Sequence, residues 1–303
     1  MPEITTGTVS ALLELGLDKV WTETLTATPE TWKAWLSTRV VERITDTQRI
    51  TSGLGAVSEV PPGSAFETDT VYVSTSKSFE LKFFGLAVTI QHAVLKYEWY
   101  NVVKPLGSGL AKSARNKYEV YAYELFNRAF DTNDSIYTDI RSETLCATAH
   151  VRLDGGTWKN RSSTDVGLSM DGLETAWEDM KRLVNHRGFY QDPKPRRLVV
   201  PTELMWLART LTQSQYDPDN AHLSYNNAKA MGLDIVDTNY ISDTFFWFVL
   251  AEKDTYKIKM GLGEAPDLKT FVTPATRSVM SNSLCSFRME VVEGMGIWGS
   301  RGQ

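Results

Sequence analysis

The sequence predicts an α+β protein organised around one long helix, and three observations predict it. Pro105 to Phe130 reads PLGSGLAKSARNKYEVYAYELFNRAF. Leu106, Leu110, Ala114, Tyr118, Tyr121, Leu125 and Ala129 recur there at three- and four-residue steps, one apolar stripe on a rod of roughly 35–40 Å. On either side lie period-2 segments. Phe79, Leu81 and Phe83 alternate with Glu80 and Lys82, and Phe287, Met289 and Val291 with Arg288 and Glu290. Third, residues 171–251 interleave amphipathic and short, fully apolar runs, the text of a compact α/β region.

In chain order, residues 1–30 read as an extended arm that must lie on something else, and 31–41 as a short helix carrying Trp32, Trp35 and Leu36. The Gly/Pro/Ser-rich stretch 51–65 is a loop. Phe66–Val73 and Phe79–Phe83 are then expected to pair as a polar hairpin turning at Ser74-Thr75-Ser76. Two strands alone are marginal in water, so such a hairpin needs a neighbour. Gly85–Ile90 leaves the hairpin, a short helix near His92–Val102 follows, and Pro105 opens the long helix, where its missing N–H is no loss. Glu124 and Arg128 form an i,i+4 pair, and Asp131–Asp134 ends the helix. Residues 142–153 read as a strand pair or loop.

In the α/β region Asp171 and Glu174 are spaced as a capping box, with Leu173, Ala176, Trp177, Met180 and Val184 inward and Gly188 as the stop. Arg197–Val200 is a short buried strand. Pro201 opens a helix with Leu204, Leu207, Ala208 and Leu211 inward. Residues 213–228 form a long polar loop, 233–236 a strand, 237–244 a turn, and Phe245–Ala251 a buried strand. The tail, Gly294 to Ser300, carries glycines and the large Trp298.

The totals narrow the function. A net charge of −5 and a pI near 5.5 argue against a dedicated nucleic-acid binder. No run of eighteen apolar residues predicts a membrane span, and the first residues lack the pattern of a signal peptide. Cys146 and Cys285 read as reduced core residues. The nine tryptophans suit a large core or large interfaces.

Catalytic and metal-binding constellations do not assemble, so no enzyme and no cofactor is expected. His92, His150, His186 and His222 have no partner at metal-ligand spacing. His186 reads as a partner for a helix C-terminus. Gly261-Leu262-Gly263-Glu264-Ala265-Pro266 lacks the third glycine of a dinucleotide loop and reads as a turn. Cys146 and His150 lack a third group, Glu178 and Asp179 point to different helix faces, and the basic stretch 193–197 reads as a solvated linker.

The order of these elements resembles the major capsid proteins of tailed bacteriophages, the Hong Kong 97-type capsid family. Four stretches carry the resemblance: GLAVTIQHAVLKYEWYNVVKPLGSGLAKSARNKYEVYAYELFNRAF, RRLVVPTELMWLARTL, GLDIVDTNYISDTFFWFVLAEK, and the terminal Phe287–Gly299 segment. It implies an N-terminal arm at 1–50, an extended hairpin loop at 51–90, a peripheral domain with a spine helix at 91–150, an axial domain at 151–257, and return strands to the peripheral domain at 258–303. It implies self-assembly into hexamers and pentamers of an icosahedral shell, built in a bacterial cytoplasm with portal and scaffolding proteins, with room for a decoration protein, and enclosing double-stranded DNA non-specifically. Because the arm is short, it implies a separate scaffolding protein or a mature form. The stripe of the spine is expected to face Phe287 and Val291. Inter-subunit contacts are expected at Trp21 in the arm, at Phe66, Tyr72, Lys77 and Phe79 in the loop, and at Tyr216 and Tyr225 in the axial loop. Deleting Val71–Phe79 is expected to leave the subunit folded and block closed shells. No Lys77 cross-link is expected. Two other readings stand beside this one: an encapsulin-like compartment shell, and a soluble α+β enzyme.

Overall fold

A computed structural model describes residues 6–216, 225–273 and 278–302, the side chains of 6–15 and 92–104 excepted. The chain opens with helix α1 (Thr6–Ala27), a 3-10 turn (Thr31–Ala34), and strands β1 (Ser37–Val40) and β2 (Thr45–Gln48). After a long loop come β3 (Lys77–Glu80), β4 (Lys82–Ile90) and the 36-residue helix α2 (His92–Asn127). The second part holds β5 (His150–Val151), β6 (Thr157–Trp158), α3 (Met170–Lys181), β7 (Arg197–Pro201), α4 (Met205–Gln213), α5 (Asn227–Ala230), β8 (Asp234–Thr238) and β9 (Trp247–Leu250). The chain closes with β10 (Lys257–Leu262), β11 (Asp267–Thr273), β12 (Ser278–Glu293) and β13 (Ile297–Ser300).

Two sheets organise the molecule. In the first, the 16-residue β12 is the axis. Its first half pairs antiparallel with β11 on one edge and β4 on the other. Its second half pairs with β10, which takes β1 in parallel. The second sheet runs β13-β9-β7-β8. All four residues of β9 and of β13 are buried. That follows from packing on both faces, which turns a strand into a continuous apolar run. Leu198, Val200, Trp247, Val249 and Trp298 face α3 and α4. Val199, Phe248, Leu250 and Ile297 face Phe126 and the end of α2. Gly299 allows this layer: a Cβ there would meet Phe248 at 2.7 Å and the Cys146 Sγ at 2.9 Å.

The apolar stripe of α2 does face β12. Phe287 sits 4.2 Å from the Tyr118 ring and 5.2 Å from that of Tyr121, and stacks on Phe84 at 4.5 Å. The helix is longer than its stripe. At about 1.5 Å per residue it measures roughly 54 Å, and Pro105 lies inside it rather than at its start. One interior proline costs about 3 kcal/mol in a helix. Packing against α1 and β12 offsets that cost.

Several expectations are corrected. The arm is not extended. Leu17, Trp21 and Leu25 fall at i, i+4, i+8, and this stripe packs α1 on Leu110, Ala111 and Ala114 of α2. Gly107 permits the approach, since a Cβ there would meet Leu17 at 3.0 Å. Residues 31–41 form a 3-10 turn and a strand, because Ser37–Val40 finds a parallel partner in β10. Residues 66–73 do not pair with 79–83. Instead β3 pairs with β2, and β4 joins β12. The cap of α3 is Ser169, whose hydroxyl accepts the Gly172 N–H at 3.1 Å, so Asp171 lies inside the first turn. Leu207 is exposed, whereas Ala208 and Leu211 face inward. His186 does not cap a helix; it is buried 2.7 Å from Glu293. Gly261 belongs to β10 rather than to a turn. Finally, β13 does not return to the first sheet but pairs with β9 in the second. Most of the polar loop expected at 213–228, residues 217–224, lies outside the described residues.

Candidate functional site

The feature the chain cannot bury on its own is the loop between β2 and β3. Its base is a ladder. Thr45–Gln48 pairs with Lys77–Glu80, Thr51 bridges Val73, and the Ser52 N–H donates to the Tyr72 carbonyl at 2.9 Å. Under the ladder, Ile50, Phe79, Ile140 and Val292 form a small apolar cluster. Beyond it the loop leaves the body, and Leu54, Val57 and Phe66 stand 67%, 98% and 86% exposed.

Buried charge fixes the base. The Arg288 guanidinium donates to Glu290 through Nε at 2.7 Å, and its Nη1 donates to the Phe79 carbonyl at 3.0 Å and to those of Arg43 and Ile44 at 3.3 Å. Glu290 in turn accepts from Gln48 at 2.9 Å and faces Arg39 at 3.4 Å. Arg288 and Glu290 are both buried. An ion pair this deep is tolerated only because its remaining donors and acceptors are satisfied. Lys77 adds a second tie: its ammonium donates to the Thr138 carbonyl at 2.7 Å and lies 5.3 Å over the Phe79 ring. Burial pulls its pKa down to about 8, against the opposing charges of Asp139 and Asp134.

Two other surfaces expose large apolar side chains. Between α2 and β4 runs a groove of about 570 Å³. Phe83 and Leu86 are exposed beside it, and Lys117 lies 4.9 Å over the Phe84 ring. On α4, Trp206 is 73% exposed next to Leu207, with the Arg209 guanidinium 5.8 Å from its ring.

The residues expected at interfaces separate. Phe66, Tyr72, Tyr216 and Tyr225 are exposed, and the last two face each other with ring centroids 6.4 Å apart. Trp21 and Phe79 are buried within the chain. Their apolar area is already covered, so a neighbour would meet the surfaces around them. Lys77 is held at the loop base. Trp206, Leu207, Phe83 and Leu86 were not anticipated. Trp206 lies one residue out of phase with the Ala208 and Leu211 stripe, which was the available signal.

One group of metal-ligand types occurs among the described residues. Ligand atoms of Asp139, Glu143 and His150 lie within 4.8 Å of one another. Arg141 sits among them, 3.3 Å from Asp139 and 3.5 Å from Glu143. His150 bonds Glu143 at 2.8 Å and the Asn160 Oδ1 at 2.9 Å, and stacks on Trp158. The carboxylates thus already face a cation, and the group is an internal network tying 139–160 together. Cys146 is buried, which pushes its thiol pKa up, and His150 is bonded to Glu143 and Asn160 rather than to it.

Comparison with known proteins identifies the family to which this fold belongs. The family model described as phage capsid protein matches residues 77–278, two thirds of the chain. The chain belongs to the phage capsid protein family. No curated protein matches it. Solved structures show the same fold at low identity. One from Microbacterium phage Oxtober96 has a TM-score of 0.58 at 12% identity, covering 91% of this chain and 92% of that one. The capsid structure of the cyanophage P-SCSP1u has a TM-score of 0.59 at 10% identity, covering 87% and 85%. A virus-like particle from Pyrococcus furiosus has a TM-score of 0.51 at 12% identity, covering 94% and 97%. The fold alone is therefore shared by several kinds of particle. The family match favours the phage head over a cargo compartment.

Proposed function

We propose that this chain is the repeating subunit of an icosahedral phage head, arranged as hexamers and pentamers around double-stranded DNA. The observation that carries the reading is the projecting loop. Residues 53–71 present four large apolar side chains, Leu54, Val57, Phe66 and Val71, that their own chain leaves exposed, although the loop base is fixed by buried charge. A neighbouring subunit is the surface that would cover them. Closing a shell this way asks each subunit to bury more than about 2,000 Å² against its neighbours. The acidic balance suits a shell that encloses DNA without gripping its phosphates. Portal and scaffolding proteins would start and size the shell, in the host cytoplasm. Packaging would then shift the population between two packings of the same interfaces. Within the subunit, residues 37–138 with β10–β12 would form the peripheral part, and 151–251 with β13 the axial part.

The structure moves the deletion that tests this. Removing 71–79 would cut the anchored ladder and the buried Phe79, so the loop should instead be shortened beyond Ser52 and Tyr72. Replacing residues 53–71 by an Asn-Gly turn preserves the Ser52–Tyr72 bond and suits a two-residue hairpin. The expected product is a folded subunit that no longer closes shells, read by circular dichroism and electron microscopy. Normal shells from this variant would refute the role of the loop.

A further inference from the structure

Just beyond its base ladder, the loop is also held from the side by the second part of the chain. Residues 185–190 form a tight turn. The Asn185 side chain accepts the N–H groups of Arg187 and Phe189 at 2.9 and 3.0 Å, and Gly188 has φ +81°. From this turn the Arg187 guanidinium reaches across to the loop. It makes two 3.0 Å contacts with the Asp69 carboxylate, donates to the Thr70 carbonyl and, at 3.3 Å, to that of Gly53, and lies 4.6 Å over the Tyr72 ring. Asp69 also accepts the Gly55 N–H at 2.6 Å, so both strands of the loop converge on one side chain. Arginine suits this task, because its planar fork meets a carboxylate, two carbonyls and a ring at once.

We propose that Arg187 is a clamp that presents the loop tip to a second copy of this chain. This rests on the shell reading above. A clamp that hid the loop would cover its apolar residues, but here Leu54, Val57 and Phe66 stay in water while the backbone beside them is tied. The clamp therefore prepares the tip for capture by lowering the ordering cost of association. A second copy offers a complementary surface. The stretch 51–76 carries Glu59, Glu67 and Asp69 and no Lys or Arg. The groove beside α2 exposes Phe83 and Leu86 with Lys117.

The test uses hydrogen exchange on the unassembled full chain, followed by shell assembly. In Arg187→Ala the Ser52, Gly55 and Tyr72 amides should exchange at least about tenfold faster, as expected when a bond to a charged group is lost. Exchange in β12 should stay unchanged, which reports an intact fold, and shell formation should slow. Arg187→Lys, a point charge without the fork, should fall between. The Leu54→Ser/Val57→Ser/Phe66→Ser variant should keep the slow exchange and lose the shells. Unchanged loop exchange in Arg187→Ala overturns the clamp, and normal shells from the triple variant overturn the presentation. Absence of shells from the unaltered chain would instead count against the shell reading and leave the exchange result to judge the clamp.

Discussion

Replacing Arg288 by Met should be among the most damaging single changes in this chain. Methionine keeps the apolar stem in its place and removes the guanidinium. Glu290, buried, then retains only the Gln48 amide at 2.9 Å and the half-exposed Arg39 at 3.4 Å. The Phe79 carbonyl, with those of Arg43 and Ile44, loses its donor. Breaking a buried pair from one side costs about 3–5 kcal/mol, mostly the stranded charge. Adding Glu290→Gln removes that charge while keeping an acceptor for Gln48, so the double variant should recover roughly 1–2 kcal/mol. Urea unfolding of the unassembled subunit measures both, with the midpoint shifted and the slope retained. A cost under about 1 kcal/mol for the single variant, or a double variant worse than the single, would refute the claim that this pair fixes the loop base.

Three further outcomes follow from the same geometry. Phe287→Ala should cost about 3–5 kcal/mol in the same assay, because its ring fills the space between Phe84, Tyr118 and Tyr121. For Glu293, burial opposes ionisation, but His186 and Lys257 outweigh it and hold the carboxyl below its usual range. A depressed carboxyl contributes stability that is present above the unfolded value near ~4.3 and is lost as pH falls through the folded one. Glu293→Gln should therefore be less stable at pH 7 and lose less on acidification than the unaltered chain. Lys77 behaves in the opposite range. With its folded pKa lowered by burial to about 8, the folded state sheds a proton that the unfolded chain keeps up to about 10.4, so stability rises with pH across that window. Lys77→Met should flatten that rise in unfolding curves taken at successive pH values.

Much of this fold could be read before any coordinates, and the failures share a cause. The stripe from Leu106 to Ala129 is local, so the long helix was legible, as were β7 and β9, whose apolar runs need no partner to be recognised. The strand paired with Lys77–Glu80 was not, because Thr45–Gln48 is wholly polar and its role depends on a contact about thirty residues away. Arg288 and Glu290 occupy the polar half of a clean alternation, which normally means solvent. Here the loop base covers that face, and both are buried. The helix expected near His92–Val102 and the one expected from Pro105 are a single helix, α2, and the break was placed between them because a proline is a sound helix start when nothing else holds the chain. Trp21 and Phe79 were expected at inter-subunit contacts, but both are buried against their own chain, which a sequence cannot distinguish from burial by a neighbour. The reach of Arg187 exists only once the 185–190 turn is placed in space.

The central claim is that the chain closes a shell through its projecting loop. Cryo-electron microscopy of the purified protein, assembled at high concentration, tests it most directly. Closed icosahedral particles, with residues 53–71 of each subunit lying against a neighbour, are the predicted result. A monodisperse monomer under those conditions, or closed particles in which Leu54, Val57 and Phe66 remain in solvent, would contradict it.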